Sequence, residues 1–421
     1  MITHQDDINL TDPHFFATGD FHALFRRMRA EDPVHWTQGR LKHGFWSIFK
    51  HEDAFTVYRG ASEYFSNARA GVGLPSSPEI EAADAACPER SPRNKMLVMS
   101  DGELHRDFRK AFNAMFLPRA VRQYETTGRQ LIAEIVDAVL PRGRCEFVTE
   151  IATRLPMTII CDMMAIPRQD WQMMFDLVNR AMGVEDPEYQ LESSAVATRD
   201  QAWAQAIGYC TRLALARRGT SANDLLAVIA NARIQGGRLL TEEEIGHNGF
   251  MFVIGGFDTT RNAIAGGLLE LMRHRDQMER LRRDKSLLRS AVEEIVRWTS
   301  PITHSLRTAL KDVEIRGRTI REGDWVAVWN ASVNRDEQAF ADAERFDIAR
   351  DPNDHFGFSY GEHFCLGAHL ARLELRLMLE AILERMPDVE LDGEVQWLAS
   401  NLLHGVKRMP VRFTPRRAAA A

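Results

Sequence analysis

The 421-residue chain contains no run of about 18 apolar residues, so no membrane-spanning helix is expected. Its polar, acidic first residues lack the basic and apolar regions of a signal peptide. A formal net charge of −6 argues against a general nucleic-acid binder. The few cysteines are scattered and odd in number, which excludes a disulfide framework and indicates reduced thiols in a cytoplasm. They are Cys87, Cys145, Cys161, Cys210 and Cys365.

No linker rich in proline, serine or glycine divides the chain, so residues 1–421 are expected to form one large domain. Apolar residues at helical spacing predict helices, and short alternating or β-branched runs predict strands. The predicted helices are 103–116, 122–139, 147–165, 200–217, 242–274, 287–298 and 366–386. The predicted strands are 43–49, 312–316, 325–330 and 407–413. The expected fold class is mainly α with small antiparallel β-sheets (α+β), with a helix-rich core over about 100–390.

Two further local patterns stand out. Thr241 and Glu244 have the spacing of a capping box, which predicts where the longest helix begins. Residues 70–97 contain several prolines and glycines and are predicted to form a long irregular loop. Loops of that length are usually functional or mobile.

Cys365 lies in the segment Phe358-Ser-Tyr-Gly-Glu-His-Phe-Cys-Leu-Gly367, directly before a long amphipathic stretch. A helix beginning near Leu366 would bring its positive dipole end to the sulfur and lower the pKa of the thiol. Backbone N–H groups of Leu366, Gly367 and Ala368 are expected to point at the sulfur. This arrangement predicts an axial thiolate ligand of haem iron, which favours O–O cleavage.

Other roles for Cys365 are less consistent with this segment. A buried structural thiol is the commonest role of a free cysteine. However, F-x-x-G-x-x-x-C-x-G should arise by chance in about one chain in a thousand. Structural zinc needs four ligands, and no second cysteine lies near His363 to complete such a site. Gly361 and Gly367 would let the backbone approach a flat macrocycle, against which Phe358 can pack.

The longest predicted helix contains Gly255-Gly-Phe-Asp258-Thr259-Thr260, a cluster of residues that are poor helix formers. The cluster predicts a functional break, with Gly255 open to a planar cofactor or a small ligand. Asp258 and Thr259 form an acid–alcohol pair that can relay protons in dioxygen reduction. A glycine kink for helix packing is the alternative.

Two residue pairs share helix faces. His105 and Arg109, at i and i+4, can hold carboxylates such as haem propionates, although a solvated helix face is the alternative. Glu294 and Arg297, at i and i+3, most often form a surface pair. Their significance comes from the order of the downstream motifs, namely Pro301, Arg307, Asn334-Arg335-Asp336, Phe346-Asp347 and Cys365.

Taken together, these motifs and their order resemble the cytochrome P450 family from about residue 20 to 413. One departure is Ser359, where the family usually has glycine, and a small polar residue is expected to be tolerated there. The resemblance implies one domain that binds haem b between the long central helix and the helix after the cysteine loop. It also implies a soluble haem-thiolate monooxygenase.

The resemblance assigns roles by position. Cys365 is expected to ligate the iron, and Asp258 and Thr259 to deliver protons. The residues expected to contact the haem are His105, Arg109, Gly255, Arg307, Phe358, His363, Cys365 and Gly367. Of these, His105, Arg109, Arg307 and His363 are expected to hold the propionates. Glu294 and Arg297, together with Arg335, are expected to stabilise the fold on the cysteine side.

The substrate and the electron donor are inferred in the same way. Flexible segments 70–97 and 178–196 are expected to cover an apolar pocket, to which Met251, Ile254, Thr303, Ser305 and Leu402 contribute. His304 is expected to be a surface histidine. The chain has no dinucleotide fingerprint and no ferredoxin-type cysteine run, so electrons must come from outside. A ferredoxin, served by a ferredoxin reductase, is expected to dock on a basic face that includes Arg106, Lys110 and Arg372.

The leading hypothesis is therefore insertion of one oxygen atom into a hydrophobic small molecule, such as a terpenoid, steroid, fatty chain or secondary metabolite. A second hypothesis keeps the fold but changes the reaction to oxidative coupling, desaturation or oxidation of a carrier-protein-bound substrate. A third is a non-catalytic haem sensor, against which the acid–alcohol pair and the thiolate both argue. Motifs of this kind do not identify the substrate.

Overall fold

The computed structural model describes Asp7 and residues 10–71, 73–191 and 194–415, and helices make up most of it. The α-helices, numbered along the chain, are α1 (Pro13–Thr18), α2 (Phe21–Glu31), α3 (His51–Arg59), α4 (Pro78–Ala86), α5 (Gly102–Phe112), α6 (Pro118–Arg122), α7 (Tyr124–Val139), α8 (Arg154–Met163), α9 (Trp171–Met182), α10 (Ala195–Leu215), α11 (Leu225–Asn231), α12 (Glu242–Arg273), α13 (Arg275–Arg283), α14 (Leu288–Thr299), α15 (Asn330–Val333) and α16 (Ala368–Arg385).

The strands are short. They are β1 (Val34–Thr37), β2 (Phe45–Ile48), β3 (Phe65–Ser66), β4 (Arg144–Glu146), β5 (Arg233–Ile234), β6 (Arg238–Leu239), β7 (Ser305–Ala309), β8 (Val313–Ile315), β9 (Arg318–Ile320), β10 (Trp325–Val328), β11 (Glu390–Leu391), β12 (Gln396–Trp397), β13 (Val406–Arg408) and β14 (Pro410–Arg412). The largest sheet has the order β1-β2-β10-β7-β3, and a three-stranded sheet has the order β11-β14-β4. The predicted fold class is confirmed, although β2 and β10 pair in parallel within the otherwise antiparallel large sheet.

Every helix predicted from apolar spacing is present, with shifted ends. The predicted helix 147–165 is divided into a π-helical turn, Val148–Ala152, and α8. The predicted helix 200–217 begins earlier, at Ala195, because the Ser194 hydroxyl accepts a hydrogen bond from Ala197 N. Other helices were not predicted, and α13 shows why. Its buried side chains are Gln277, Met278 and Leu281, too few to produce an apolar stripe in the sequence.

The predicted loop at 70–97 is wrong in part, because α4 lies in its middle. Ser77 caps this helix by accepting a hydrogen bond from Ile80 N, and Pro78 occupies its first turn. Proline is favourable at that position, since the N–H it lacks would have no helical partner. The predicted strand 407–413 is also corrected, since Met409 separates β13 from β14.

Helix α12 runs through the centre of the main hydrophobic core and packs against α8, α10, α14 and α16. It begins with the predicted capping box, in which Thr241 and Glu244 each bond the other's backbone N–H. The helix is continuous through the predicted break. A Cβ at Gly256 would come within 3.0 Å of Ile160, so glycine there permits the close approach of α8. The packing of this buried helix therefore outweighs the roughly 1 kcal/mol of helix stability that glycine costs relative to alanine.

In the part of the chain that the structure describes, no helix has the length and apolar composition needed to cross a bilayer.

Candidate active site

The cysteine loop precedes α16 and is tightly folded. Gly361 has φ +70° and begins a short 3-10 turn, and Cys365 N donates a hydrogen bond to Phe358 O over 2.8 Å. Ser359 has φ +59°, a left-handed conformation that glycine adopts without strain. Ser359 therefore occupies a position at which the backbone favours glycine. The helix begins at Ala368, with Gly367 as its N-cap, and not at Leu366 as predicted.

The Cys365 side chain has exposed surface, although the surrounding protein still desolvates the thiol. Burial raises the pKa of the thiol, and this effect outweighs the opposing effects of the Gly367 and Ala368 N–H groups and of Arg109 and Arg372. The predicted lowering of the pKa is therefore wrong. The thiolate would depend on a bound metal cation to displace the proton.

The surface of α12 near its middle is open at Gly255, where an added Cβ would meet no atom within 4 Å. The Thr259 hydroxyl is partly exposed on this side and donates to Gly255 O over 3.0 Å. Asp258 is buried, with Oδ1 2.6 Å from Nη2 of Arg261. Burial raises the pKa of Asp258, and Arg261 opposes this shift. Arg261, which the sequence patterns did not single out, also donates to Asn179 Oδ1 of α9 over 3.1 Å.

His105 and Arg109 connect α5 to the cysteine loop. The His105 ring nitrogens lie 3.1 Å from Leu97 O and 3.0 Å from Glu362 O. Arg109 Nη1 donates to Glu362 O over 3.2 Å and to Phe364 O over 2.7 Å. The structure thus brings both predicted residues to the loop that carries the cysteine.

His363 and Arg307 belong to the same polar region. The His363 ring lies 4.1 Å from the His105 ring, and burial, together with nearby Arg307 and His105, lowers its pKa to about 4. Arg307 is buried over the ring of Tyr58, and its Nη1 donates to Leu306 O. Its Nε has no hydrogen-bond partner among the described residues.

Asp101 is a charged member of this region that the sequence patterns did not reveal. Burial acts to raise its pKa, but contact with His363 and hydrogen bonds from Ser66, Asn67 N and Ala68 N lower it to about 2. Its carboxylate occupies the N-cap position of α5 without capping that helix. The sequence signal that could have identified Asp101 is its position two residues before the predicted helix 103–116, where a helix-capping residue is expected.

Glu294 and Arg297 form a buried bidentate ion pair, with both N–O distances 2.8 Å. Arg297 also donates to Asn334 O and Ala343 O. The third charged member is Arg350, whose Nε lies 3.1 Å from Glu294 Oε2.

The prediction that Arg335 joins this pair is wrong. Its guanidinium lies 3.9 Å from the ring centre of Trp298, and its Nη1 is 3.5 Å from Glu344 Oε2. Arg350 follows Asp347 by three residues. The fold brings this segment back to Glu294, and the sequence alone gives no sign of that contact.

The predicted pocket residues lie in different environments. Met251 is buried and Ile254 is partly buried on α12, and Leu402 is partly buried. Thr303 is fully buried, and its hydroxyl donates to Asn401 O, so it is not open to a ligand. Ser305 is partly buried and accepts from Asn330.

His304 is not a surface residue. Its side chain is fully buried, and Nε2 accepts a hydrogen bond from Leu74 N over 2.8 Å. Burial lowers its pKa to about 4, which keeps the ring neutral and Nε2 able to accept. The residue fastens the segment before α4 to the large sheet.

The three predicted docking cations differ in availability. Arg106 and Lys110 are exposed on α5, and Arg106 Nη1 lies 3.6 Å from Glu362 Oε1 of the cysteine loop. Arg372 instead forms a bidentate pair with Glu293 at 2.7 and 2.8 Å and lies over the Phe358 ring. Arg372 is therefore a paired and only partly exposed cation, and its part in docking stays a prediction.

These residues fit a haem. Cys365 supplies a sulfur ligand with exposed surface, and Gly255 and Gly367 leave space that side chains would otherwise fill. The buried Arg307, with its unpartnered Nε, and the neighbouring His363 suit the carboxylates of such a group.

Comparisons with known proteins show what the whole chain is similar to. A family model described as "Cytochrome P450" matches residues 76–402. The chain is 34% identical over 410 residues to "Cytochrome P450 NovI" of Streptomyces niveus, covering 97% of both proteins. It is 34% identical over 422 residues to "Steroid C26-monooxygenase" of Mycobacterium tuberculosis, covering 98% of this chain and 99% of that protein. The crystal structure of CYP108D1 from Novosphingobium aromaticivorans superposes with a TM-score of 0.89 at 28% identity, covering 99% of this chain and 100% of that one.

Proposed function

Because the chain belongs to the cytochrome P450 family of haem b monooxygenases, we propose that it inserts one atom of dioxygen into a hydrophobic small molecule. The observation that carries the proposal is the combination of Cys365 on its loop with Gly255 and the Thr259 hydroxyl on α12. Haem b, when bound, supplies a thiolate-ligated iron at which dioxygen is activated. Cys365 would hold that iron, and Arg307, His363, His105 and Arg109 would surround the propionates.

Thr259 and Asp258 would hold and transfer protons on the α12 side of the site, away from Cys365. The Thr259 hydroxyl can turn from Gly255 O and donate into the open space beside that glycine. Asp258 lies adjacent in the chain, and burial raises its pKa, which makes its carboxylate a stronger proton acceptor. Its ion pair with Arg261 means that this exchange requires the carboxylate to move or to share its partner.

The Thr259→Ala variant tests this assignment. It is expected to keep haem binding but to divert most reducing equivalents to hydrogen peroxide, since the hydroxyl proton is lost. Product and peroxide per NADH are measured with whichever steroid, terpenoid or fatty acid shifts the iron's spin state. Thr260→Ala, one residue along, is the matched control, and Thr259→Ser should restore coupling. Full coupling in Thr259→Ala would remove the proton role. Product lacking an atom from labelled dioxygen would indicate coupling or desaturation instead.

The substrate is proposed to be steroid-like or lipid-like. A steroid C26-monooxygenase is among the relatives, and Met251, Ile254 and Leu402 offer apolar surface. Since Thr303 is buried and hydrogen-bonded, shape and apolar contact would select the substrate more than polar contacts do.

An acidic ferredoxin is proposed to donate electrons at the α5 face beside the cysteine loop. The exposed charges of Arg106 and Lys110 lie on this face. Long-range attraction of this kind accelerates encounter and weakens with salt.

Reversal of one charge on this face tests the docking site. Lys110→Glu is expected to weaken binding of a [2Fe–2S] ferredoxin about three- to tenfold at low ionic strength, and less at high salt. Arg40→Glu makes the same change in net charge in the loop between β1 and β2 and should have little effect. Equal effects of the two variants would show that net charge, and not this face, governs docking.

A further inference from the structure

A cavity of about 340 Å³ lies along the C-terminal half of α12. Asn262, Gly266, Glu270 and Arg273 line it from one face of that helix. Residues of α1 and α2, the end of α14, Arg335 and the β12–β13 hairpin complete its walls. Asn262 lies one helical turn beyond Thr259 and Gly266 about 10 Å of helix rise beyond it. The residues that line the cavity include none of those placed at the proposed haem site, so the two sites are distinct.

Two buried donors that line this cavity have no hydrogen-bond partner among the described residues. They are Nδ2 of Asn262, whose residue is 1% exposed, and Nε of Arg335, whose residue is 6% exposed. His22 Nδ1, on the cavity wall, is also unpartnered there. A buried donor without an acceptor costs about 1–3 kcal/mol. Because both amide and guanidinium nitrogens only donate, the cavity calls for a group that accepts hydrogen bonds.

The charged residues that line the cavity are Arg273, Arg335 and Glu270, so cations outnumber carboxylates there even though the two histidines are neutral. Burial, Arg335, His404, Arg29 and Arg26 together lower the pKa of His22 well below its ordinary value. Burial likewise lowers the pKa of His404 to about 4 and that of Arg335 to about 10.

The carboxylates near the cavity already form ion pairs with arginines. Glu344 lies 3.5 Å from Arg335 but also pairs with Arg26 and Arg29, and Glu270 pairs with Arg273 at 2.8 Å. Arg335 therefore shares its nearest carboxylate with two other arginines.

Aromatic side chains form flat walls. His404 stacks on Trp397 with ring centres 4.6 Å apart and planes 4° apart, and Phe21 meets His404 edge-on at 5.1 Å. Trp298 lies under the Arg335 guanidinium. A ligand here would meet flat apolar surfaces at one side and unpaired N–H donors at the other.

We propose that this cavity binds a small aromatic carboxylate, with the carboxylate accepting from Arg335 Nε and Asn262 Nδ2 and the ring against the aromatic walls. The site is separate from the haem pocket, so occupancy does not require displacement of a substrate. Its volume is at the lower end of the range for small-molecule sites, which suits a single-ring ligand.

Benzoate is the probe, titrated into the haem-loaded protein and followed by ligand NMR. Saturable binding is expected without a shift of the Soret band. Asn262→Ala should weaken it about tenfold, the equivalent of one lost hydrogen bond. Ala17→Trp, which fills the cavity from α1, should abolish it. Ala23→Trp, the same change at an exposed position of α2 outside the cavity, should leave it intact.

The proposal is overturned if benzoate does not bind, in which case the cavity holds only water. It is also overturned if Ala17→Trp binds benzoate as the parent protein does, or if benzoate shifts the Soret band in parallel with binding. Benzamide, equal in shape but neutral, should bind at least tenfold more weakly, and equal affinity would refute the role of charge. These readouts do not depend on monooxygenase activity.

Discussion

The Cys365→Ala variant is expected to lose the red-shifted Soret band of the reduced carbon monoxide complex, together with all detectable monooxygenase activity. Alanine provides no ligand atom where the cysteine loop presents its sulfur. His363, the nearest imidazole in the sequence, cannot readily replace it, because its ring packs against His105 and contacts Asp101. The fold should persist, since the loop is also held by the Cys365 N to Phe358 O hydrogen bond and by Arg109.

Cys87→Ala is the matched control for this experiment. Cys87 is partly exposed at the C-terminal end of α4, so its loss should alter neither the spectrum nor the activity. Far-ultraviolet circular dichroism of both variants separates loss of ligation from loss of fold. Survival of the red-shifted band in Cys365→Ala would mean that another residue ligates the iron.

Glu294→Ala is expected to destabilise the protein by about 3–5 kcal/mol, because it leaves the fully buried guanidinium of Arg297 and the largely buried one of Arg350 without their carboxylate. Arg297 and Arg350 both depend on Glu294, and Asp347 N loses its acceptor as well. We expect a much lower thermal midpoint and loss of haem during purification. The measurement is urea and thermal unfolding of the haem-loaded protein, followed by circular dichroism and by Soret absorbance.

The neighbouring Glu293 provides an unusually close control. It also forms a bidentate pair, with Arg372, but this pair is partly exposed. Pairs open to solvent contribute at most about 1 kcal/mol, so Glu293→Ala should be mild. If the two variants lose similar stability, burial of the Glu294 pair is not what makes it important. Arg335→Met tests which arginine completes the buried pair: it should not reproduce the Glu294→Ala phenotype if Arg350 is the true third member.

A local motif can be recognised from the sequence where one short segment contains all of its residues. The capping box at Thr241 and the acid–alcohol pair on α12 needed no knowledge of the fold. Helix α4 was not predicted, because the prolines and glycines on either side of it are typical of a loop. His304 was misjudged because burial of a histidine depends on which backbone N–H reaches its ring, here that of Leu74 from more than two hundred residues away.

The motifs and their order along the chain are enough to identify the family and the kind of chemistry, because each motif is a short segment that can be recognised without coordinates. The assignment of Cys365 as the iron ligand stays a prediction from the same motifs. Partnerships between distant segments needed three-dimensional coordinates. Arg350, and not Arg335, meets Glu294, Arg372 is held by Glu293, and burial raises the pKa of Cys365 despite the helix after it. The cavity beside Asn262 likewise exists only where five separate segments meet. Burial and charge pairing are properties of the packed molecule, and they decide which of the predicted side chains are free to act.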